Sequence, residues 1–481
     1  MEKNYLNRVV WVVLAVVLVL LGLYWLPEIK IGDWTMRKVD LLADLRNGAA
    51  PVDPTATGTA PNPDSLTVAQ KAALKLPLLD GSRLTHDQQG NVVTVEDSIM
   101  SAMAALSPQR KGVTSIIDMS GGEPGGMTMF YEALAQSDSR TVRIAVLGDS
   151  FIEGDILTGM LRELLQQRFG GSGCGFLPMA SPATSSFRRS VRQSSQGWSA
   201  HRTSDRAGYM ATYNNITGSY FNGSDGAWVD MEASGANYRH SGSCTSTSFY
   251  YLGGGAMGSV TAFVNGINSG SYSLSSNDPV GVVTVRGNIT QAKWQLGSSA
   301  GIVFLGASMD GDRGVAVDNL ALRSTRGYHL TDVSDRILTG FNQVRPYDLV
   351  VIMYGLNIAF KGRRNFGDYC KRMDVAIDNI KRCMPGAGIL LVSCSDHAER
   401  GSDGLRTMPE VLALNQAQKR VAINNRIAFW DLYSAMSGVG GITGMVSRGE
   451  ASSDYTHLNF KGGDHLARLL YDAIILGYEN R

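Results

Sequence analysis

The first pattern in the sequence is a series of mostly apolar stretches of strand length, separated by helical patterns. The strand-like stretches, typical of strands buried on both faces of a parallel sheet, cover residues 142–147, 348–354, 388–393 and 426–430. Apolar residues at helical spacing cover residues 156–165, 369–383, 411–422 and 466–476. The alternation predicts an α/β domain whose parallel sheet has helices on both faces and whose functional residues lie at the carboxyl ends of the strands.

A second pattern occupies residues 183–320, where serine, glycine, threonine and asparagine dominate and no helical pattern of useful length occurs. Short strand-like pieces between glycine turns cover residues 227–231, 248–252, 259–264 and 281–285. Short strands at regular spacing are typical of a β-sandwich or a jelly roll. We therefore expect an all-β module inserted into the α/β domain.

Residues 9–26 form an apolar run of the length that a membrane-spanning helix needs. Lys3 and Arg8 precede the run and acidic residues follow it, which favours a cytoplasmic amino terminus. A cleavable signal peptide is the alternative, but residues 24–27 are bulky where a signal peptidase needs small side chains. We expect a retained single-pass anchor in the inner (cytoplasmic) membrane, with the rest of the chain in the periplasm or outside the cell.

With 481 residues, the chain is too long for one ordinary core. The predicted segments are a transmembrane anchor at 1–27, a linker and amino-terminal region at 28–115, the first part of the α/β domain at 116–182, the inserted β module at 183–320, and the second part of the α/β domain at 321–481. Residues 47–65, rich in alanine, proline and threonine, are expected to be the extended part of the linker.

Charge and cysteine content exclude several classes of function. The chain has 44 basic and 43 acidic residues, so no overall field favours nucleic acid as a partner. The cysteines, which show neither metal-ligand spacing nor a disulfide framework, are Cys174, Cys244, Cys370, Cys383 and Cys394. Cys383 and Cys394 could pair across a predicted helix-to-strand turn, but buried free thiols are the expected state.

The candidate chemistry lies in short motifs that are far apart in the chain. Gly148-Asp149-Ser150 follows the first predicted strand, and Asn357 follows the second. A serine nucleophile needs a histidine to take its proton, a carboxylate to orient that histidine, and donors for the oxyanion. Near the carboxyl terminus, Asp454 and His457 are spaced so that a tight turn would join them. Ser150, His457, Asp454 and Asn357 thus supply a residue type for each role.

Other histidines offer alternatives. His397 follows Asp396 directly after a predicted strand and is the best rival base. His329 could face a substrate, because it lies close to the candidate oxyanion segment around Gly327. His465, beside Asp464, is expected to lie on the last helix. The remaining histidines, expected to be surface or structural residues, are His86, His201 and His240.

In order and residue type, the motifs from about 116 to 478 resemble those of the SGNH (GDSL-type) esterases. The resemblance implies a flavodoxin-like three-layer α/β/α fold and a catalytic triad of Ser150, His457 and Asp454. It also implies an oxyanion hole formed by the backbone N–H groups of Ser150 and Gly327 and the side chain of Asn357. Ser324 is an alternative to Gly327, whose surroundings are less regular. No metal or organic cofactor is implied.

A β module inserted after the nucleophile motif, in an exported protein, is similar to bacterial peptidoglycan O-acetylesterases. This resemblance implies hydrolysis of acetyl esters on cell-wall glycan, through an acetyl-serine intermediate. A membrane-tethered O-acetyltransferase of cell-wall glycan, working beside an acetyl-exporting membrane protein, is the close alternative. An inactive glycan-binding or scaffold protein is an alternative of another class.

Two sets of residues in and near the insert suggest contacts with a glycan. The aromatic residues, for which core packing is the commoner role, are Trp198, Trp228, Tyr238, Tyr250, Tyr251 and Trp294. The basic residues, which could meet anionic glycan or lipid headgroups but are more often simply solvated, are Arg188, Arg189, Arg192, Arg202 and Arg206. The resemblance to O-acetylesterases implies a carbohydrate-binding-like module, and these residues are its candidate contacts.

Overall fold

The computed structural model describes residues 30–31, 34–35, 79, 83–86, 92–205, 208–255, 257–299, 301–402 and 404–481. The predicted anchor at 1–27 and most of the predicted linker lie outside these residues. No helix within the described part of the chain has the length and apolar character needed to span a membrane. The chain divides into two compact units, Met1–Thr59 and Ala60–Arg481. In the first unit, Lys30–Ile31 pairs with Trp34–Thr35.

The described strands, in chain order, are β1 (Lys30–Ile31), β2 (Trp34–Thr35), β3 (Leu84–His86), β4 (Val92–Thr94), β5 (Ile117–Asp118), β6 (Thr141–Gly148), β7 (Gly175–Leu177), β8 (Val191–Arg202), β9 (Ser219–Ala233), β10 (Cys244–Leu252), β11 (Gly258–Val264), β12 (Ile267–Leu274), β13 (Val280–Ile289), β14 (Gln291–Ser298), β15 (Val303–Asp310), β16 (Gly314–Ala321), β17 (Leu349–Met353), β18 (Gly388–Val392), β19 (Ala398–Gly401), β20 (Gly404–Thr407) and β21 (Ala428–Trp430). The described α-helices are α1 (Val95–Leu106), α2 (Met127–Leu134), α3 (Thr158–Phe169), α4 (Pro182–Phe187), α5 (Asp335–Val344), α6 (Gly367–Cys383), α7 (Pro409–Asn425), α8 (Leu432–Gly438), α9 (Gly441–Ser447) and α10 (Phe460–Glu479).

A six-stranded sheet with the order β16-β6-β17-β18-β21-β5 forms the centre of the α/β body. All neighbouring strands are parallel except the edge strand β5. Numbered along the chain, the parallel strands have the order 2-1-3-4-5, which is the flavodoxin-like order. In that order the ends of β6 and β17 flank the point where the chain reverses direction across the sheet, and ligands bind at such points.

Side chains of the sheet alternate between two separate cores, as the period of a strand requires. Ala145 and Leu147 belong to one core, which also contains residues of α6 and α7. Ile144 and Val146 belong to the other core, with residues of α2, α3 and α10. The sheet is therefore covered by helices on both faces, as the apolar pattern predicts.

The inserted module is a nine-stranded antiparallel sheet that contains β7 to β15. Strands β14 and β10 are not neighbours in the sheet, yet the indole Nε1 of Trp294 on β14 donates to Thr247 Oγ1 on β10, 3.1 Å away. The sheet therefore folds over on itself. Phe249 packs between the two halves, with its ring centroid 5.4 Å from that of Trp294. The module thus has a sandwich-like core.

The boundaries predicted for the insert, 183–320, do not match the strand pairing. Strand β7 already pairs with β15 inside the module. At the other end, β16 leaves the module and pairs in parallel with β6 along its whole length. The sequence analysis placed β16 in the insert because the composition rich in serine, glycine, threonine and asparagine extends to residue 320. Asp318 is fully buried in the fold, where a buried arginine neutralises it.

A buried ionic cluster joins the module to the α/β body. The guanidinium of Arg345 donates to Asp318 on β16 at 2.6 and 2.7 Å and to Asp310 on β15 at 2.8 and 2.9 Å. It also donates to the hydroxyl of Tyr250 on β10 at 2.9 Å. Burial acts to raise the pKa of Asp310, but the charge of Arg345 outweighs it and holds that pKa well below its usual range. Asp310 is therefore ionised, and both carboxylates are paired with Arg345 inside the protein.

All five cysteines are buried free thiols. The alternative Cys383–Cys394 pairing is not formed. Instead the thiol of Cys383 lies 3.9 Å from the backbone oxygen of Asp335. Burial raises the pKa of Cys394 above its usual value, so this thiol stays protonated.

Candidate active site

The candidate nucleophile lies on a tight turn at the carboxyl end of β6. Strand β6 ends at Gly148, and the N–H of Ile152 returns to the oxygen of Asp149, 3.3 Å away. A Cβ on Gly148 would lie 2.6 Å from Ile152 Cδ1 and 3.0 Å from the oxygen of Met353 on β17. Only glycine fits there without displacing its neighbours. The turn presents Ser150 half-buried at the edge of the sheet.

Ser150, His457 and Asp454 form one hydrogen-bonded chain. Ser150 Oγ lies 3.3 Å from His457 Nε2, and His457 Nδ1 lies 2.8 Å from Asp454 Oδ2. The other oxygen of Asp454 accepts the backbone N–H groups of Thr456 at 3.0 Å and His457 at 3.1 Å. A carboxylate can only accept, so the proton of the neutral imidazole lies on Nδ1, and Nε2 is free to accept the serine proton.

The charge on Asp454 is favoured by its surroundings. Burial acts to raise the pKa of Asp454, but the hydrogen bond and charge of His457, with the local N–H groups, hold it below its usual value. The carboxylate is therefore ionised at neutral pH and can stabilise an imidazolium on His457. The side chains of His457 and Asp454 are 46% and 49% exposed, so the pair is open to a large substrate.

Asp155 lies between the serine turn and helix α3, but it does not cap that helix. Helix α3 begins only at Thr158 and has no side-chain cap, so Ser150 does not directly precede the helix. Asp155 is fully buried and bridges two arginines, with Arg162 Nη1 3.0 Å and Arg188 Nε 2.9 Å from its Oδ2. Burial acts to raise the pKa of Asp155, but the two guanidinium charges lower it well below its usual range.

Asn357 lies beside the serine turn, as expected from its place after β17. Its Nδ2 donates to Asp149 Oδ2 at 3.3 Å and to the oxygen of Thr325 at 3.0 Å. Both amide hydrogens are therefore committed to protein acceptors. The longer of the two bonds, to Asp149, is the one that an oxyanion near Ser150 would replace at lower cost.

Asp149 is a site residue that the sequence reasoning missed. Its carboxyl is almost completely buried and accepts the N–H of Phe151 at 3.0 Å as well as the Asn357 amide. Burial raises the pKa of Asp149 to about 6, although hydrogen bonds from Phe151, Gly355 and Asn357 oppose the change. The carboxyl thus ties the serine turn to the Asn357 loop. An acidic residue between a buried strand and a serine is the signal that could have identified it.

The pKa of Asp149 predicts a pH dependence of stability. Its folded pKa of about 6 lies above the ordinary value of 3.8, so the folded protein holds the proton more tightly than the unfolded chain. This contribution is present below pH 3.8 and is lost as the pH rises through about 6. Urea unfolding between pH 4 and pH 7 should show the stability of the wild type falling by about 2–3 kcal/mol relative to Asp149→Asn. A constant difference across that range would contradict the burial argument.

Gly327 begins a 3-10 turn and has a left-handed backbone, with φ of 76°. A Cβ there would lie 2.6 Å from the buried ring of Tyr354. The neighbouring Arg326 donates its Nε to the backbone oxygen of Asn357 at 2.9 Å, so the Gly327 segment lies along the Asn357 loop. Ser324, the alternative, is exposed and also has a positive φ, 64°.

Gly327→Ala is expected to destabilise the protein more than a matched glycine replacement. Gly226 has nearly the same φ, 79°, but nothing within 4 Å of a Cβ there, so Gly226→Ala introduces only left-handed strain of about 1–2 kcal/mol. Gly327→Ala adds the overlap with Tyr354, which we expect to cost about 1–3 kcal/mol more. Urea unfolding of both variants measures the difference, and equal losses would mean that the ring moves aside freely.

The alternative histidines lie inside the protein. His397 Nε2 is 3.1 Å from Ser395 Oγ, and burial together with the charge of His457 lowers the pKa of His397 to about 4. His329 Nε2 is 3.4 Å from the backbone oxygen of Ile216, and burial lowers the pKa of His329 to about 4. His329 is buried against the inserted module, so the suggested substrate-facing position is wrong.

Most of the aromatic residues named in the insert are buried rather than open to a glycan. Tyr238, Tyr250, Tyr251 and Trp294 are all buried, while Trp198 and Trp228 are half-buried. Of the basic residues, Arg188 is buried on Asp155, and Arg192 forms an exposed pair with Glu232 at 3.1 Å. Arg206 lies outside the described residues.

A cleft of about 590 Å³ runs between the α/β body and the module. Its walls include Glu153, Asn319 and Ser324 from the body and Arg202 and Phe221 from the module. The triad residues are not among those that line this cleft, and the side chains of His457 and Asp454 are about half exposed to solvent. Among the described residues, no cluster of histidine, cysteine or acidic side chains could hold a metal ion.

Comparison with known proteins finds the same fold in a solved structure. No protein-family model and no curated relative matches the chain. A structure of a peptidoglycan O-acetylesterase aligns with a TM-score of 0.63 and 21% sequence identity, over 76% of this chain and 99% of the other. An acetyl xylan esterase aligns with a TM-score of 0.26 and 15% identity, over 33% of this chain and 81% of the other. A family two carbohydrate esterase from Cellvibrio japonicus aligns with a TM-score of 0.22 and 9% identity, over 60% of this chain and 98% of the other.

Only the first alignment carries weight, and it shows the fold. The strand order 2-1-3-4-5 and the Ser150–His457–Asp454 chain agree with the resemblance of the motifs to those of SGNH esterases. Over 76% of its length, the chain shares the fold of the solved peptidoglycan O-acetylesterase.

Proposed function

We propose that the protein is a serine esterase that removes O-acetyl groups from an extracytoplasmic glycan, namely peptidoglycan. The observation that carries the proposal is the hydrogen-bonded chain from Ser150 through His457 to Asp454, at the edge of the sheet where α/β enzymes bind ligands. The shared fold with a peptidoglycan O-acetylesterase supports the choice of substrate. The predicted anchor at 9–26 would place the enzyme in the inner membrane, facing the periplasm.

In the first step, Ser150 becomes acetylated. His457 Nε2 takes the proton of Ser150 Oγ while Oγ bonds to the carbonyl carbon of the acetyl ester, and the carbonyl electron pair moves onto oxygen. The Ser150 and Gly327 N–H groups and the Asn357 amide would stabilise that oxyanion. When the tetrahedral intermediate collapses, the bond to the sugar oxygen breaks and His457 returns its proton to that oxygen.

In the second step, water releases acetate. His457 takes a proton from water, and the water oxygen bonds to the acetyl carbon. Ser150 Oγ then leaves with the proton held by His457. Asp454 keeps the imidazole oriented and offsets its positive charge in both steps, as expected of an ionised carboxylate 2.8 Å from Nδ1.

The openness of the site supports a polymeric substrate. The His457 and Asp454 side chains are about half exposed, and the cleft between the body and the module does not enclose them. A glycan strand can therefore approach the serine from solvent without threading into a pocket. A small lipophilic ester would be expected instead to require an enclosed apolar pocket.

Acetate release from O-acetylated peptidoglycan by the full-length protein in detergent tests the proposal. The expected result is free acetate in amounts that match the acetyl groups lost from the glycan. Transfer of acetyl groups to deacetylated glycan, with little free acetate, would instead identify an O-acetyltransferase that uses the same serine. Neither acetate nor transferred acetyl from any acetylated glycan would reject both enzymatic activities.

A further inference from the structure

An exposed aromatic ring lies close to the candidate active site. Phe360 is 51% exposed and follows Asn357 on the loop after β17. The N–H groups of Ile358 and Ala359 both donate to the oxygen of Gly355, at 2.9 and 3.0 Å, so a tight turn links the ring to the site. A large apolar side chain on such a surface contributes little to the core, and the exposed part of its ring is accessible to a ligand.

Two guanidinium groups lie over this ring. Arg326 Cζ is 6.0 Å and Arg363 Cζ is 5.4 Å from the centroid of Phe360. Each arginine donates its Nε to a backbone oxygen, Arg326 to Asn357 at 2.9 Å and Arg363 to Asn365 at 3.3 Å. These bonds hold the guanidinium groups in place. Arg326, Phe360 and Arg363 together form an Arg–Phe–Arg cluster.

The two arginines of the Arg–Phe–Arg cluster form no ion pair with an acidic side chain in the described part of the protein. Neighbouring cations have acidic partners: Lys361 lies 3.5 Å from Glu399, and Arg364 lies 3.5 Å from Glu410. Among the residues that the structure describes, neither guanidinium of the cluster lies within 4.0 Å of a carboxylate. Arginine binds carboxylates through two parallel hydrogen bonds, and an aromatic face packs on apolar surfaces of a sugar.

We propose that the Arg–Phe–Arg cluster is a substrate subsite for an acetylated glycan that carries carboxylate groups. Phe360 packs against a sugar ring near the one bearing the ester, while Arg326 and Arg363 bind a carboxylate on the same strand. The inference rests on the proposed esterase function, since the ester is the bond that Ser150 attacks. It gives the enzyme a preference for anionic acetylated glycans over neutral ones.

Arg363 offers the sharper test, because Arg326 also bonds to the backbone of Asn357 and its loss would disturb the site directly. Lys361 provides a matched control. It lies between Phe360 and Arg363 in sequence and carries the same charge, but it is 84% exposed and pairs with Glu399. Arg363→Gln and Lys361→Gln therefore remove equal charge from the same loop, and only the first removes a guanidinium from the ring.

The experiment compares kcat/KM for two forms of one substrate: soluble O-acetylated peptidoglycan fragments, and the same fragments after carbodiimide amidation of their carboxylates. The full-length wild type should prefer the anionic form about tenfold at low salt, and the preference should weaken at high salt. Arg363→Gln and Phe360→Ala should both lower activity on the anionic form, and Arg363→Gln should reduce the preference to about onefold to twofold. Lys361→Gln should keep the wild-type preference.

A preference unchanged in Arg363→Gln, or lost equally in Lys361→Gln, would overturn the subsite. A separate measurement distinguishes this from failure of the esterase function: equilibrium binding of both fragment forms to a Ser150→Ala background, with and without Arg363→Gln. If the wild type releases no acetate but Arg363→Gln still weakens binding of the anionic form, the proposed function fails and the subsite stands. Equal binding of both forms by both proteins would overturn the subsite alone.

Discussion

Replacing Ser150 by alanine is expected to reduce acetate release from O-acetylated peptidoglycan by at least about 10⁴-fold, because no acetyl-enzyme can form. His457→Ala should cause a similar loss, since the hydroxyl then has no base 3.3 Å away to take its proton. Asp454→Asn should reduce kcat by about 10⁴-fold, because an amide in place of the carboxylate favours the wrong imidazole tautomer. The loss of activity in a double variant that carries both Ser150→Ala and His457→Ala should be about as large as in either single variant. The two losses should not add, because the three groups of the triad act as one unit.

A second serine–histidine pair in the protein provides the control. Ser395 Oγ lies 3.1 Å from His397 Nε2, a contact as short as the one in the proposed triad, but both residues are buried. Ser395→Ala should therefore leave kcat for acetate release within about threefold of the wild-type value. Retained activity in Ser150→Ala, with a large loss in Ser395→Ala, would show that the nucleophile is wrongly assigned.

Arg345→Met is expected to lower the free energy of unfolding by about 3–5 kcal/mol, the second large effect. The guanidinium is fully buried and neutralises Asp310 and Asp318, which are also buried. Without it, two carboxylates remain close together in the interior and lose the one cation that hydrogen-bonds to both of them. They must then take up protons or admit water, and either response weakens the contact between the module and the body.

Arg192→Met is the matched control in urea unfolding. Arg192 and Glu232 form an ion pair with 75% and 52% exposed side chains, so its loss should change stability by no more than about 1 kcal/mol. If Arg345→Met does not fold, Asp310→Asn and Asp318→Asn in the same background should restore part of the stability by removing the unpaired charges. Equal stability of Arg345→Met and the wild type would show that the buried cluster contributes little.

The buried ionic cluster of Arg345, Asp310 and Asp318 fixes the position of the module beside the α/β body. Asp310 ends β15 of the module, Asp318 lies in the middle of β16 in the body, and Arg345 follows helix α5. One guanidinium thus ties together strands of both sheets. The module is therefore held in a defined position beside the edge strand β16, and the cleft between module and body is a built part of the molecule.

Much of the sheet could be predicted from the sequence because buried parallel strands are apolar along their whole length. Four of the parallel strands have a mostly apolar pattern and overlap the predicted stretches. Strand β16 does not, because Asp318 needs a counter-charge that comes from Arg345. The residues of β16 and their neighbours in sequence do not show that Arg345 will lie beside Asp318. The sequence therefore could not assign β16 to the parallel sheet.

The amino-acid sequence by itself determined the alternation of strands and helices, the inserted β module, and the residue types of a hydrolytic site. The strands, the helices and the module follow from local apolar periodicity. The residue types of the site follow from short motifs, each of which spans only a few residues. Only the tertiary structure decided that β16 joins the body, that Asp155 bridges arginines, and that Asp149 engages Asn357. It also decided that Arg326 and Arg363 share the ring of Phe360. Each of these depends on side chains from separate elements meeting in space, and burial and charge partners exist only once the chain has folded.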